Sequence, residues 1–354
     1  MTISLCMIVK NEEEVLARCL ESIRGLVDEI IIVDTGSTDA TKLIAAQYAD
    51  KVLDFEWIDD FSAARNFAFD QATMDFQMWL DADDILPEDE REKFWRMKKE
   101  LTKDIDQVTM KYYTQVDEDG KPLHFSIRER LLNRARNFRW IEPVHECIPL
   151  SGNILHSDVC IVHQKPPSDG VSTRNLDIYE SIEKSGKELN PRQTYYFARE
   201  LKDHRRWAKA AYYFRRFLDG GKGWYADNVG ACFNLSICYQ MLCDWERVLP
   251  TLIESFTYDS PSAEICCQIG YHFKGIEKYA IALKWFQLAL NLGSEPEAGF
   301  VITDYWGYIP NIEACVCCCN LGQHDLARQY NEAALQLKPG SSAALHNRQY
   351  LENL

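Results

Sequence analysis

The sequence predicts two structural classes in one chain: an α/β domain on a mostly parallel sheet, followed by an all-helical repeat domain. Three observations predict this. Over residues 1–115, short β-branched runs alternate with helical patterns. A Pro-Pro-Ser-Asp-Gly stretch at 166–170 then reads as a linker. Beyond it, helix pairs recur at a period of roughly 34–40 residues. The expected division is therefore 1–168 for the first domain and 169–354 for the second.

The elements of the first domain follow from their patterns. Residues 4–9 form an apolar run, and 12–25 place Val15, Leu16, Leu20 and Ile23 on one helical face. EIIIV at 29–33 is a strand expected to be buried on both faces. Ser37, Thr38 and Asp39 offer a cap for a helix running to about Tyr48. Residues 51–55 form a third strand, 61–71 a helix and 76–80 a fourth strand. A charged helix is predicted over 88–104. Residues 107–115 and 122–132 then flank an Asp-Glu-Asp-Gly turn at 117–120, which signals a hairpin. Residues 139–150 and 158–163 read as further short strands.

Charge and cysteine content narrow the function. The 354 residues carry a net charge of −15. Residues 1–170 hold 20 Lys+Arg against 33 Asp+Glu. An acidic chain argues against generic nucleic-acid or anionic-membrane binding, which needs a basic face. Apolar runs are too short to span a bilayer, so no stable membrane insertion is expected. The N-terminal residues do not read as a secretion signal, and 13 cysteines are an odd number, which suits reduced thiols in the cytoplasm. Cys315, Cys317, Cys318 and Cys319 invite a zinc reading, but no second spaced pair accompanies them, and helix packing is the simpler expectation.

The stretch MWLDADDIL at 78–86 sets three carboxylates at the end of an apolar strand. Ligands of parallel α/β sheets bind outside the carboxyl ends of the strands. Lys10 to Glu13, Asp34, Arg65 with Asn66, and Asp81 to Asp84 all lie at or beside such ends, so four elements converge on one crevice. Asp81 and Asp83 have the i, i+2 spacing of an extended segment and would share a face. Carboxylates that close repel unless a divalent cation joins them. Oxygen ligands suit Mg²⁺ or Mn²⁺. The alternative is a helix cap by Asp83 or Asp84.

Four motifs occur together in order: SLCMIVKNEE at 4–13, IIIVDTGSTDAT at 30–41, FSAARNFA at 61–68 and WLDADD at 79–84. This set closely resembles glycosyltransferase family 2, whose members are inverting enzymes. The resemblance implies a GT-A fold, a Rossmann-like nucleotide-sugar-binding mixed sheet. It implies a UDP-sugar donor with Mn²⁺ or Mg²⁺. Asp34 matches the acid that holds the nucleotide base, Glu13 the acid near the ribose, and Arg65 the basic residue beside the nucleotide. Asp81-Ala82-Asp83 matches the family's DXD motif, with Asp83 the direct metal ligand and Asp81 a ribose or water-mediated metal contact. His163, ending a short strand before the linker, fits the additional metal ligand. The stretch WIEPVHE at 140–146 resembles family 2 members with C-terminal tetratricopeptide repeats, among them peptide glycosyltransferases of the sublancin S-glycosyltransferase kind. It places Glu146 and His145 in the acceptor site with Glu142 as reserve base, and leaves the base open among the three. Val9-Lys10-Asn11 departs from the family's common Thr-Tyr-Asn, and its usual acidic pair near the acceptor is not evident.

WAKAAYYF at 207–214, YAIALKWF at 279–286 and HDLARQYNEA at 324–333 align Ala211, Ala282 and Ala327. Small residues at these positions let helices approach closely, a pattern similar to tetratricopeptide repeats. Such arrays hold peptides in a concave groove, so a peptide or protein acceptor is expected. A homodimer through the same surface is the competing use. The leading reading is a cytoplasmic hexosyltransferase-type enzyme acting on a peptide or protein side chain. Transfer to a cell-surface glycan or lipid-linked acceptor is the alternative, and a non-catalytic repeat scaffold the third option.

Overall fold

The computed structural model describes residues 1–116, 122–164, 172–293 and 301–354. It divides into two compact units, Met1–Ile178 and Tyr179–Leu354. The turn expected at 117–120 and the linker expected at 166–170 lie outside the described residues.

In the first unit, strands β1 (Ile3–Val9), β2 (Glu29–Asp34), β3 (Lys51–Asp54) and β4 (Phe76–Trp79) alternate with helices α1 (Leu16–Ile23), α2 (Thr41–Tyr48) and α3 (Phe61–Asp70). A two-residue strand β5 (Asp84–Ile85) and helix α4 (Arg91–Glu100) follow. Three long strands, β6 (Gln107–Val116), β7 (Pro122–Asn133) and β8 (Ile154–His163), then precede α5 (Arg174–Lys184). The strand order is β3-β2-β1-β4-β7-β6-β8-β5. The first four strands run parallel, and β7 joins β4 antiparallel. This is the mixed sheet of a GT-A fold.

Alternation explains why both faces of the sheet are dry. Ile3, Leu5, Met7 and Val9 of β1 enter one core with Leu16, Leu20 and Ile23 of α1. Cys6 enters the other, with Ala68 and Phe69 of α3. On β4, Phe76 and Met78 face the first core while Trp79 faces the second. Asp81 lies two residues beyond Trp79, which is the α3 side.

Two expectations fail here. Residues 139–150 are not a strand: one isolated bridge joins Ile141 to Cys147, and between them Glu142 and His145 adopt left-handed backbone at φ 78° and 53°. Two such residues abolish the alternation of a strand. The charged helix is also shorter than 88–104, because residues 88–90 form a 3₁₀ turn and α4 ends at Glu100.

The second unit repeats one motif. Helix pairs are α6 (Pro191–Asp203) with α7 (Trp207–Asp219), α8 (Tyr225–Met241) with α9 (Trp245–Glu254), α10 (Ala263–Gly275) with α11 (Tyr279–Asn291), and α12 (Tyr308–Asn320) with α13 (His324–Leu337). Helix α14 (Ser342–Glu352) follows. Each pair turns through one left-handed residue: Arg205, Cys243, Glu277 and Gly322. After it, the N–H of Arg206, Asp244, Lys278 and Gln323 returns to the carbonyl five residues back, at 2.8–2.9 Å. These are four copies of one helix-ending turn. Ala282 and Ala327 are fully buried and Ala211 nearly so. This is the architecture of tetratricopeptide repeats. Cys266, Cys267, Cys315, Cys317 and Cys318 are packed in the same core with Phe286. Burial pushes the Cys317 thiol up to about 12, and no cysteine joins a metal-competent cluster among the described residues. Packing accounts for their burial. No helix among the described residues is long and apolar enough to cross a membrane.

Candidate functional site

Asp34 closes β2 in register with Val9 of β1. Its Oδ1 accepts the backbone N–H of Gly36 at 3.0 Å and of Ser37 at 2.9 Å. Its Oδ2 is buried and accepts nothing. A buried carboxylate oxygen is costly to leave without a donor.

The loops after β1 and β2 are laced together. Asn11 adopts a left-handed conformation, donates its N–H to Ser37 Oγ at 2.9 Å and accepts from Thr38 N–H at 2.8 Å. Glu13 Oε2 accepts the Ala40 N–H at 2.8 Å. The structure thus spends Glu13 on the start of α2. Asp39, expected as a cap, accepts the Thr41 N–H at 3.0 Å, although the first helical residue follows Ala40.

Arg65 stands on the buried face of α3. Its guanidinium lies 5.1 Å from the Trp79 ring and 4.9 Å from the Trp140 ring. From there Nη2 donates to Asp81 Oδ1 at 2.6 Å and Nε to Glu146 Oε1 at 2.7 Å. Nη1 is buried without a partner. Burial opposes ionisation of Asp81, but the Arg65 cation outweighs it and holds that carboxyl below the usual range. One guanidinium therefore ties the end of β4 to the 140–147 loop. Within the described residues Glu146 Oε2 takes no hydrogen bond.

Asp81 and Asp83 do not share a face. Residues 82–83 turn, with the Asp84 N–H donating to Asp81 O at 3.0 Å and the Asp81 N–H to Asp84 Oδ2 at 3.1 Å. The turn sends Asp81 to Arg65 and Asp83 toward β8. There, β5 pairs Asp84 opposite His163, and the Gln164 N–H donates to Asp83 O at 2.7 Å. His163 Nδ1 lies 3.3 Å from Asp83 Oδ1 and 3.4 Å from Asp84 Oδ1. Asp83, Asp84 and His163 offer ligand atoms within 4.8 Å of one another, and Asp81 is not in this group. Burial opposes the imidazolium, but the two carboxylates prevail and push His163 up to about 10. A cation bound between these carboxylates would relieve their repulsion.

Asp84 is no helix cap. It is fully buried, paired with Arg130 at 3.0 Å, and accepts the Tyr112 hydroxyl at 2.8 Å. Arg130, Tyr112, Trp79 and Trp140 were not foreseen as site residues. The signal for Arg130 was a charged triplet, Arg128-Glu129-Arg130, set between Ile127 and Leu131 in a predicted strand; for the aromatics there was none beyond core composition. Glu142 and His145 sit at the left-handed positions of the loop. The side chain which that loop brings to Arg65 is Glu146.

Residues 4–153 match the family model for glycosyl transferase family 2. A TPR repeat-containing protein of Synechococcus elongatus is 39% identical over 148 residues, 41% of this chain and 35% of that protein. The SPbeta prophage-derived glycosyltransferase SunS of Bacillus subtilis is 28% identical over 213 residues, 56% of this chain and 49% of that protein. The chain thus spans half or less of the length of these two curated relatives. Among solved structures, YrrB, a TPR protein with an unusual peptide-binding site, matches with a TM-score of 0.38 and 16% identity, covering 50% of this chain and 82% of that one. Glucosyl-3-phosphoglycerate synthase from Mycobacterium tuberculosis, in complex with Mn²⁺, UDP and glucosyl-3-phosphoglycerate, matches with a TM-score of 0.37 and 19% identity, covering 54% and 82%. Residues 4–153 are a glycosyltransferase family 2 domain, in a chain that continues into tetratricopeptide repeats.

Proposed function

We propose that this glycosyltransferase moves a hexosyl group from a UDP-sugar to a peptide or protein side chain, with inversion and with a divalent metal. The observation that carries the reading is the unsatisfied, buried Oδ2 of Asp34 at the sheet edge that also holds Asp81 and Asp83. A uracil N–H is the complementary donor. Asp81, kept ionised by Arg65, is suited to ribose hydroxyls.

The residues present fit a divalent cation. Asp83 and His163 would hold it, with Asp84 behind them rather than Asp81. All are ligands suited to Mn²⁺ or, for the carboxylates, Mg²⁺. When bound, the ion would screen the diphosphate and favour its departure. Glu146 is the base we favour over His145 and Glu142, since Arg65 fixes one oxygen and leaves the other for an acceptor proton. In the displacement, the acceptor heteroatom bonds to the anomeric carbon as the bond from that carbon to the β-phosphate oxygen breaks. The electron pair stays on the departing UDP, and the acceptor proton passes to Glu146.

The repeats supply the acceptor reading, because such arrays bind peptides along a groove. Thirteen free cysteines suit a reducing compartment, and the cytoplasm is the location we propose. The test is hydrolysis of UDP-sugars by the full chain with Mn²⁺. Turnover of at least one donor is expected, reduced at least about 100-fold in Asp83→Ala. A folded chain that neither binds nor hydrolyses any UDP-sugar would end this reading.

A further inference from the structure

Arg174 opens α5, and its guanidinium lies 4.5 Å from the centre of the Phe61 ring. Phe61 is the first residue of α3, four before Arg65, so both lie on one helix face about one turn apart. That end of α3 is fastened to the loop that carries Glu146. The Phe61 N–H donates to Pro143 O at 2.9 Å, and the Ser62 hydroxyl donates to Glu142 O. Arg174 is therefore held beside the N-terminal end of α3 by a ring, not by an acid.

The charges around it are unbalanced. Glu146, Glu12 and Asp81 are the carboxylates whose fields reach Arg174, yet it makes no ion pair among the described residues. Arg174 is exposed to solvent, yet desolvation by its packed neighbours lowers its pKa by more than those carboxylates raise it. The neighbouring guanidiniums are already engaged, Arg65 by Asp81 and Glu146 and Arg130 by Asp84. A cation on an aromatic platform with an open fork is suited to a planar or tetrahedral oxyanion.

We propose that Arg174 is the guanidinium that receives the diphosphate of the bound nucleotide donor. This rests on the UDP-sugar reading above. A diphosphate bound among this many carboxylates needs cations besides a metal, and Arg174 is the guanidinium near Glu146, Glu12 and Asp81 that no carboxylate pairs among the described residues. As the anomeric bond breaks, the electron pair remaining on the β-phosphate oxygen increases the charge that Arg174 faces. Its contribution therefore extends from donor binding to the leaving step.

Calorimetric titration of the full chain with uridine, UMP and UDP, in Mn²⁺, tests this. In the wild type, UDP is expected to bind more tightly than uridine. Arg174→Gln is expected to weaken UDP binding by about 10- to 100-fold while changing uridine binding by less than about twofold. Arg174→Lys, which restores charge without the fork, is expected to recover part of the loss. Equal weakening of uridine and UDP, or unchanged UDP binding in Arg174→Gln, would overturn the inference. A wild type that binds uridine as well as UDP overturns it while leaving the uridine site standing. A wild type that binds none of the three removes both readings.

Discussion

Arg130 and Asp84 form an ion pair at 3.0 Å with neither side chain exposed to solvent. The Arg130 guanidinium also lies 3.8 Å from the Trp79 ring centre and 4.3 Å from that of Tyr112. Asp84 in turn holds the Asp81 N–H and the Tyr112 hydroxyl. The turn that separates Asp81 from Asp83 is thus built on a buried pair.

Removing one member of such a pair strands the other. Arg130→Met is expected to cost the first unit about 3–5 kcal/mol, since the fully buried Asp84 loses its Arg130 partner and keeps only the His163 contact at 3.4 Å as a cationic one. Arg130→Met combined with Asp84→Leu is expected to recover much of that loss, because no uncompensated charge remains. Hydrogen exchange over the peptides of β4 and β7 checks this within the full chain. Equal protection in the single and double variants would show that Asp84 does not depend on Arg130.

Arg65 joins Asp81 to Glu146 with two different nitrogens, a geometry that a fork can make and an ammonium cannot. Arg65→Lys keeps the charge and satisfies one carboxylate only. Sugar transfer or donor hydrolysis is expected to fall by about 10- to 100-fold, the worth of one charge-assisted hydrogen bond. Steady-state kinetics with donor and acceptor varied separately read the effect. A variant with wild-type turnover would show that the tie is dispensable.

Away from the crevice, Glu29 anchors the start of β2. It accepts from Ser4 Oγ at 2.6 Å, Thr73 N–H at 2.9 Å and Lys51 Nζ at 3.0 Å. Burial opposes its ionisation, but these donors outweigh it and lower its pKa from 4.5. A carboxylate lowered on folding stabilises the folded chain above its unfolded pKa, and that stability is lost as pH falls through the folded value. Glu29→Gln is expected to destabilise the first unit at pH 7 by about 1–3 kcal/mol. The gap should close as pH drops from about 5 toward 3. Denaturant titrations across that range check it. A gap that widens in acid would reverse the sign.

The sheet and the repeats were legible because their signals are local. EIIIV could only be a strand covered on both faces, and Ala282 and Ala327 mark helix contacts through their size alone. That Asp34 closes β2 and that Asp81 follows β4 at the same edge was legible because parallel strands fix where their ends lie. What failed was backbone detail. A two-residue turn at 82–83 reassigned Asp81 and Asp84, and two left-handed residues turned an expected strand into the loop that delivers Glu146. No glycine or proline announces the turn at 82–83; in the loop Pro143 argued against a strand, but neither left-handed position is a glycine. Arg130 and Tyr112 were hidden for another reason: they reach Asp84 through sheet pairing distant in sequence, which no local pattern encodes.

Two glycines of one helix should respond oppositely to the same change. A Cβ on Gly270 would meet the Phe286 ring at 2.6 Å, and Phe286 is fully buried. A Cβ on Gly275, the exposed last residue of α10, would meet nothing within 4 Å, and no left-handed backbone holds it there. Alanine improves helix propensity by about 1 kcal/mol at an interior position and by less at an end. Overpacking costs about 1–3 kcal/mol. For Gly270→Ala the overpacking term wins, and the α10–α11 pair is expected to lose about 1 kcal/mol net. Gly275→Ala carries the propensity gain without the clash, and is expected to stabilise by about 0.5 kcal/mol. Hydrogen exchange over residues 263–291 reads both variants on the same peptides. Protection that rises in Gly270→Ala would mean that Phe286 has room the packing does not show, and that the close approach of these two helices is not what fixes the repeat.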